Sequence, residues 1–114
     1  MFLQYNKITS VNLDSFEGCV NLKFLALQFN QLEHFPNLSY LKALEFLDLS
    51  GNHIKQLNPK HIPERLVVLK LHGNPLTDSH SNDKYEYRKP FVLWLEELDK
   101  LDKINVLPVE RLSY

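Results

Sequence analysis

The sequence predicts an α/β solenoid with a parallel β-sheet on its concave face and a helical cap at its C-terminal end. Three observations predict this fold: a leucine frame that recurs every 22 to 24 residues, an asparagine in each copy of the frame, and a change to helical spacing beyond Pro75. A period in this range is typical of solenoids, whose repeats bury their apolar faces only against neighbouring repeats.

The frame reads L-x-x-L-x-L-x-x-N-x-L/I, and one complete copy spans residues 44–54. Further complete copies begin at Leu22 and Leu66, and a shortened copy opens the chain at Met1. We therefore predict repeats over residues 1–78, the first one truncated, and a C-terminal cap over residues 79–114. The shortened copy leaves an apolar edge at the first repeat, which we expect missing chain or a neighbouring protein to cover.

Each frame contains an asparagine whose side-chain amide can bond backbone groups of its own loop and of the adjacent repeat. Such bonds form a ladder that satisfies polar groups a buried loop would leave unpaired. Gly51 and Gly73 precede two of these residues, where a tight turn favours glycine, and Tyr5 and Phe29 take the same place in the earlier repeats. The ladder asparagines are Asn6, Asn30, Asn52 and Asn74.

Side chains in each predicted strand alternate between the leucine core and the concave face. Because adjacent strands lie about 4.8 Å apart, Phe24, Phe46 and Val68 are expected to form one exposed apolar column. Grouped exposed aromatic residues mark protein-binding surfaces, although a loop or the chain's own tail could instead cover the column. The candidate partner-binding residues are Phe24, Ala26, Gln28, Phe46, Asp48, Ser50, Val68, Lys70 and His72.

The segment after the repeats has apolar residues at the spacing of one face of an amphipathic helix, which would close the end of the solenoid. Residues 109–114 are interpreted as a tail or the start of another segment. Ser81, Asn82 and Asp83 each suit the N-cap of the predicted helix. Its apolar positions are Phe91, Trp94, Leu95, Leu98 and Leu101.

Composition limits the possible functions. Thirteen basic residues against fourteen acidic ones give a net charge of −1, which provides no electrostatic footprint for nucleic acid. No apolar run is long enough to span a bilayer. The single cysteine, Cys19, cannot form an internal disulfide, which favours a reducing compartment. These features predict a cytosolic or nuclear protein that binds neither membranes nor nucleic acid directly.

The sequence predicts no enzyme, cofactor or metal site. Three glycines provide no phosphate-binding loop, and the five histidines occupy different frame positions without the close spacing of a zinc site. Asp48, Lys70 and His72 could cluster on the concave face, and of the residues in the sequence they most resemble a polar site. On a solenoid such a group favours partner specificity over catalysis.

The frames resemble the short intracellular class of leucine-rich repeats typified by the nuclear regulator of protein phosphatase 1. The C-terminal segment is similar to the cap of that family, although Glu96 replaces its usual proline, which predicts a slightly longer cap helix. Asp102 resembles the family's cap aspartate and is expected to bond backbone locally. The motifs that carry the resemblance are Gly73-Asn74-Pro75, Tyr87-Arg88, Phe91-Val92-Leu93, Leu98, Leu101-Asp102 and Val106. The cap candidates are Tyr87, Arg88, Trp94, Leu98, Leu101 and Asp102.

This resemblance implies a non-catalytic scaffold that binds a protein on its concave face. The class includes spliceosomal adaptors, axonemal dynein light chain 1 and small ciliary proteins, and residues 63–74 are most similar to the ciliary group. We therefore expect an axonemal or cytoskeletal partner and a location in the cytoplasm or cilium, with the nucleus as an alternative. A phosphatase-regulatory or splicing-type adaptor and the recognition domain of a larger enzyme also remain open.

Overall fold

The computed structural model describes residues 1–12, 15–78 and 85–114. Within these ranges the chain is α/β, as predicted, and two short 3₁₀-helices lie at Pro59–His61 and Pro75–Thr77. The other elements, in chain order, are β1 (Phe24–Ala26), β2 (Phe46–Asp48), β3 (Val68–Lys70), α1 (Arg88–Trp94), β4 (Lys100–Leu101), β5 (Ile104–Asn105) and α2 (Pro108–Ser113).

The five strands form one sheet in the order of the chain. Phe24 pairs with Phe46, and Phe46 with Val68, so β1, β2 and β3 run parallel with a 22-residue offset. β4 continues the parallel order, but β5 is antiparallel to β4. The prediction of a wholly parallel sheet is therefore wrong at its last strand. The connection between β4 and β5 is too short for the crossover that a parallel pair requires.

The core lies on one side of this sheet and consists mainly of the frame leucines. Leu25, Leu47 and Leu69 are fully buried, and each contributes roughly 1.5–3 kcal/mol of burial free energy. The segments before β1 and between the strands add Phe16, Phe35, Leu38, Leu41 and Ile62 to the same cluster. At the N-terminal edge, Phe2 forms an isolated parallel bridge with Ala26, so the shortened first copy also pairs with the sheet.

The asparagine side chains link successive repeats. Asn52 Nδ2 donates to the carbonyl of Leu27 in the preceding repeat and to that of Leu49 in its own, at 3.1 and 2.9 Å. Its Oδ1 accepts the backbone N–H of Leu32 at 3.0 Å. Asn30 and Asn74 repeat this pattern, and both are buried. Asn6 is exposed, and its amide donates to the carbonyls of Leu3 and Gln4 in its own turn.

The C-terminal segment corrects the predicted long helix. α1 ends at Trp94, so Glu96 does not lengthen it. Leu98 follows a turn at residues 96–97, and Leu101 lies in β4. Residues 99 and 100 donate their backbone N–H groups to the carbonyl of Val67, so this segment joins the sheet. The spacing of the apolar residues does not indicate these hydrogen bonds. The proposed N-cap residues Ser81, Asn82 and Asp83 lie outside the described residues.

No helix in the described part of the chain combines the length and apolar character needed to cross a membrane.

Candidate protein-binding face

The sheet face opposite the leucine core corresponds to the predicted concave face, and we call it the open face. Phe24, Phe46, Val68 and Lys100 stand at the first outward position of the four parallel strands and are in register. The first three were predicted as a column. Lys100 was missed, because the sequence placed it within a helix, where it would have had no strand neighbour.

Three aromatic rings on the open face contact one another, and two of them are stacked. The ring centroids of Phe24 and Phe46 are 4.4 Å apart with an interplanar angle of 9°, and Phe2 adds a third ring 5.0 Å from that of Phe24. Phe2 is 72% exposed, while Phe24 and Phe46 are half-buried. Each aromatic pair contributes about 0.5–1.5 kcal/mol beyond its buried area. We call these three residues the aromatic column.

The second outward position differs from the prediction. Ala26 and Asp48, both predicted partner contacts, are only 2% and 7% exposed. Ala26 is small and lies between its pairing partners Phe2 and Asp48. The Asp48 carboxylate accepts hydrogen bonds from the backbone N–H of Ser50 at 3.0 Å and from its hydroxyl at 2.6 Å.

Ser50, a third predicted contact, is likewise buried at 2% exposure. Its hydrogen bonds with Asp48 satisfy polar groups on both residues, which is why both tolerate burial. These residues therefore support the open face from within. The half-buried Gln28 and the exposed His72 remain at the third outward position.

Cations occupy the other end of the open face. The ammonium of Lys70 lies 5.7 Å from the centre of the Phe46 ring, and Lys100 is exposed. His72 Nδ1 lies 3.1 Å from a carboxylate oxygen of Asp102, and the histidine side chain is 51% exposed. Asp48, Lys70 and His72 therefore interact with different partners, namely Ser50, Phe46 and Asp102. Within the described residues no group of three or more His, Cys, Asp or Glu side chains could hold a metal ion.

The Asp102 carboxylate accepts hydrogen bonds from the backbone that follows β3. Its Oδ1 accepts the backbone N–H groups of Leu71 and His72 at 2.7 and 2.9 Å, and its Oδ2 accepts the hydroxyl of Tyr87. Burial of the phenol, together with this hydrogen bond, raises the pKa of Tyr87 above its ordinary value. The expectation that Asp102 bonds backbone locally is wrong, since its backbone donors lie 30 and 31 residues earlier.

Arg88 connects α1 to β4 and α2 from a buried position. It is 2% exposed, donates to the carbonyl of Leu101 at 2.7 Å, and makes a bidentate ion pair with Glu110 at 2.8 and 3.0 Å. The hydrogen bond from Arg88 lowers the pKa of Glu110. Arg111 donates to the carbonyls of Leu95 and Leu98, both at 3.0 Å. Glu110 and Arg111, the two α2 residues in these contacts, were not predicted from the sequence, because no local pattern indicates contacts between residues 13 to 22 positions apart.

Of the other predicted cap residues, some are buried and one is exposed. Leu98 and Leu101 are buried at 3% and 0% exposure, and Tyr87 is half-buried. Trp94 was predicted on the buried face of the helix but is 48% exposed. The buried residues of α1 are Arg88, Phe91 and Val92, whose spacing of three and four residues defines one face of the helix, and Trp94 lies off that face.

Comparison with known proteins agrees with the repeat pattern. Residues 43–64 match the family Leucine Rich Repeat. Human lumican is 46% identical over 92 residues, and human leucine-rich repeat-containing protein 4C is 38% identical over 68 residues. These matches cover 78% and 60% of this chain, but only 25% of lumican and 11% of the second protein. The chain thus spans a quarter of the length of human lumican. Residues 43–64 thus resemble a leucine-rich repeat, and the chain is similar to leucine-rich-repeat proteins.

Proposed function

We propose that this chain is a non-catalytic recognition module that binds a segment of another protein on its open face. The observation that carries this proposal is the aromatic column, in which the stacked rings of Phe24 and Phe46 and the tilted ring of Phe2 lie together on the outward face of the sheet. Aromatic side chains bury a large area with few rotatable bonds, so they contribute much binding energy for little entropy loss. Leucine-rich-repeat relatives support a binding role in general terms.

The charges of the open face favour an acidic partner segment. Asp48 and Asp102, the carboxylates at this face, are buried and hydrogen-bonded, whereas Lys70 and Lys100 lie beyond the aromatic column. Complementary charge of this kind orients a partner and speeds its association more than it raises affinity. We therefore propose that apolar partner side chains lie on the rings and that carboxylates face the two lysines.

The strand spacing defines the length of such a segment. Lys100 stands two strands beyond Phe46 in the same row, which places it about 10 Å away at the usual strand separation. A helix covers that distance in about seven residues, and an extended chain covers it in about three. The partner should therefore carry an aromatic or aliphatic residue followed or preceded by Asp or Glu at one of these two spacings.

For the cellular assembly we propose an intracellular axonemal or ciliary complex with cytoskeletal partners. This finer assignment is supported only by the resemblance of the short repeats and the cap to that class. A phosphatase-regulatory or splicing-type adaptor in the nucleus is the alternative from the same class. The recognition domain of a larger enzyme is the alternative from another.

Capture on the immobilised chain, followed by mass spectrometry, tests the function and the assembly together. The wild-type chain should retain a protein that the Phe24→Ala, Phe46→Ala variant does not retain. A matched control is Val20→Ala, which truncates a 66% exposed apolar side chain outside the open face. Tubulin, dynein or radial-spoke proteins support the axonemal assignment, whereas phosphatase or spliceosomal proteins support the alternative. Turnover by the isolated chain would contradict the non-catalytic reading.

A further inference from the structure

A second apolar surface lies at the C-terminal end of α1, and it shares no residue with the open face. Leu93 and Trp94 are 49% and 48% exposed, although α1 buries Phe91 and Val92 almost completely. Two adjoining cavities, of about 490 and 240 Å³, are both lined by Leu93 and Trp94. We call this surface the tryptophan groove; its other lining residues are Asn58, Pro59, Lys60, Glu64, Arg65, Pro90, Glu96 and Glu97.

The apolar part of the tryptophan groove is rigid. Pro59 opens a 3₁₀-helix and Pro90 lies in the first turn of α1, so the backbone at both positions is constrained by the proline ring. Because these side chains have little conformational freedom to lose, an apolar group that inserts between them and Trp94 would bind with a small entropy cost. An exposed tryptophan beside constrained residues such as Pro59 and Pro90 is typical of a binding hot spot.

The tryptophan groove also favours positive charge. The carboxylates of Glu64, Glu96 and Glu97 line its larger cavity, where Arg65 is the cation among the lining residues. Glu64 forms an ion pair with Lys42 at 3.8 Å, but both side chains are about two-thirds exposed, so this pair is weak. Glu96 and Glu97 are the carboxylates nearest in sequence to Trp94.

The indole already interacts with a cation from this chain. The ammonium of Lys60 lies 5.0 Å from the centre of the Trp94 ring, which is within the range of a cation–π interaction. Lys60 therefore occupies one face of the indole, and the contact shows that this ring can form a cation–π interaction. In the larger cavity the carboxylates of Glu64, Glu96 and Glu97 outnumber the single cation of Arg65, while Lys60 lines the smaller one. The side of Trp94 that faces the larger cavity therefore combines aromatic surface with negative charge.

We propose that the tryptophan groove binds a basic, apolar segment of a partner protein. An aliphatic or aromatic side chain inserts between Pro59, Pro90 and Trp94, and a neighbouring lysine or arginine faces Glu96 and Glu97. The open face favours acidic segments, so the two surfaces select partner segments of opposite charge. The module can then hold two different segments at once.

A random twelve-residue peptide library displayed on phage tests this proposal directly. The immobilised target is the Phe24→Ala, Phe46→Ala variant, which removes the aromatic rings of the open face, and its Trp94→Ala derivative serves for counter-selection. We expect enriched peptides that combine a large apolar residue with lysine or arginine within a few positions. Synthetic copies should lose at least tenfold in affinity with Trp94→Ala and with Glu96→Lys, Glu97→Lys.

Leu112→Ala is the matched control, since it truncates an 86% exposed leucine on α2 and should leave affinity unchanged. Thermal unfolding of each variant establishes that it is folded, and the glutamate variant changes only exposed side chains. Three outcomes would overturn the proposal: no peptide that depends on Trp94, dependent peptides without enriched cations, or self-association of the chain that Trp94→Ala abolishes. None of these outcomes bears on the open face.

Discussion

The carboxylate of Asp102 accepts the backbone N–H of Leu71 across 31 residues at 2.7 Å. In the earlier repeats the equivalent groups donate to strand carbonyls, Leu27 to that of Asp48 and Leu49 to that of Lys70. The side chain of Asp102 thus takes the place of a carbonyl from a following repeat. This contact stops the repeat pattern without leaving a buried donor unpaired.

Removal of this carboxylate should destabilise the chain. Asp102 has a φ of 57°, so Asp102→Gly keeps the backbone conformation and removes the acceptor for two N–H groups and the Tyr87 hydroxyl. We expect a net loss of about 1–3 kcal/mol in the free energy of unfolding, measured with urea, because the three lost hydrogen bonds outweigh the strain that glycine relieves at this φ. Asp102→Asn, which retains one acceptor oxygen, should lose less. Equal stability of Asp102→Gly and wild type would contradict the role of this residue.

Gly51 should resist substitution because of Phe29. Gly51 has a φ of +68°, and a Cβ at this position would lie 2.5 Å from Phe29 Cδ1. Gly51→Ala should therefore cost more than the roughly 1–2 kcal/mol of left-handed strain alone. Gly18→Ala is the matched control, because Gly18 has a φ of +87° with nothing within 4 Å of its Cβ position.

The contact with Phe29 can be isolated by a double-mutant cycle measured by urea unfolding. Phe29→Ala should remove part of the cost of Gly51→Ala but none of the cost of Gly18→Ala. Additive effects of Phe29→Ala and Gly51→Ala would show that the ring does not restrict Gly51.

The ion pair between Arg88 and Glu110 should make stability depend on pH. The hydrogen bond from Arg88 lowers the pKa of Glu110 below its usual 4.5 in the folded chain. The unfolded chain therefore binds this proton at a higher pH, so the contribution of Glu110 is present above about pH 4.5 and disappears as the pH falls through the lower folded value. Glu110→Gln should lose about 1–3 kcal/mol at pH 7.

Unfolding free energies of wild type and Glu110→Gln, measured from pH 7 to pH 3, check this sign. The difference between the two proteins should shrink as the solution is acidified. Glu86→Gln is a control on an exposed carboxylate. A difference that stays constant or grows towards pH 3 would exclude this linkage.

The lysines of the open face should govern the rate of partner association. Lys70→Glu, Lys100→Glu should slow association with an acidic partner by roughly tenfold or more at low salt, with a smaller effect at high salt. Surface plasmon resonance at two ionic strengths measures both effects. Lys55→Glu, at an exposed lysine outside the strands, is the matched control. A salt-independent effect would contradict electrostatic steering.

The repeat frame predicted the positions of β1, β2 and β3, because a 22-residue offset places equivalent residues side by side in a parallel sheet. Strand alternation also predicted the direction of Phe24 and Phe46. It could not predict the burial of Asp48 and Ser50, which depends on their mutual hydrogen bonds and on what stands beside them.

The C-terminal segment was harder to predict for a related reason. The three-residue spacing of Leu95, Leu98 and Leu101 fits a helix, but the same residues also fit a turn that leads into β4. Backbone hydrogen bonds to β3 and the guanidinium of Arg111 decide between these structures. Both interactions join distant parts of the chain, so local periodicity does not contain them.

The aromatic column is tested most directly by the affinity of the Phe24→Ala, Phe46→Ala variant for the partner captured by wild type. Isothermal titration calorimetry of wild type, this variant and the Val20→Ala control measures that affinity, and circular dichroism establishes that each chain is folded. If both rings are hot spots, the dissociation constant should rise about 100-fold or more, while the control stays unchanged. A folded double variant with the affinity of wild type would contradict the account.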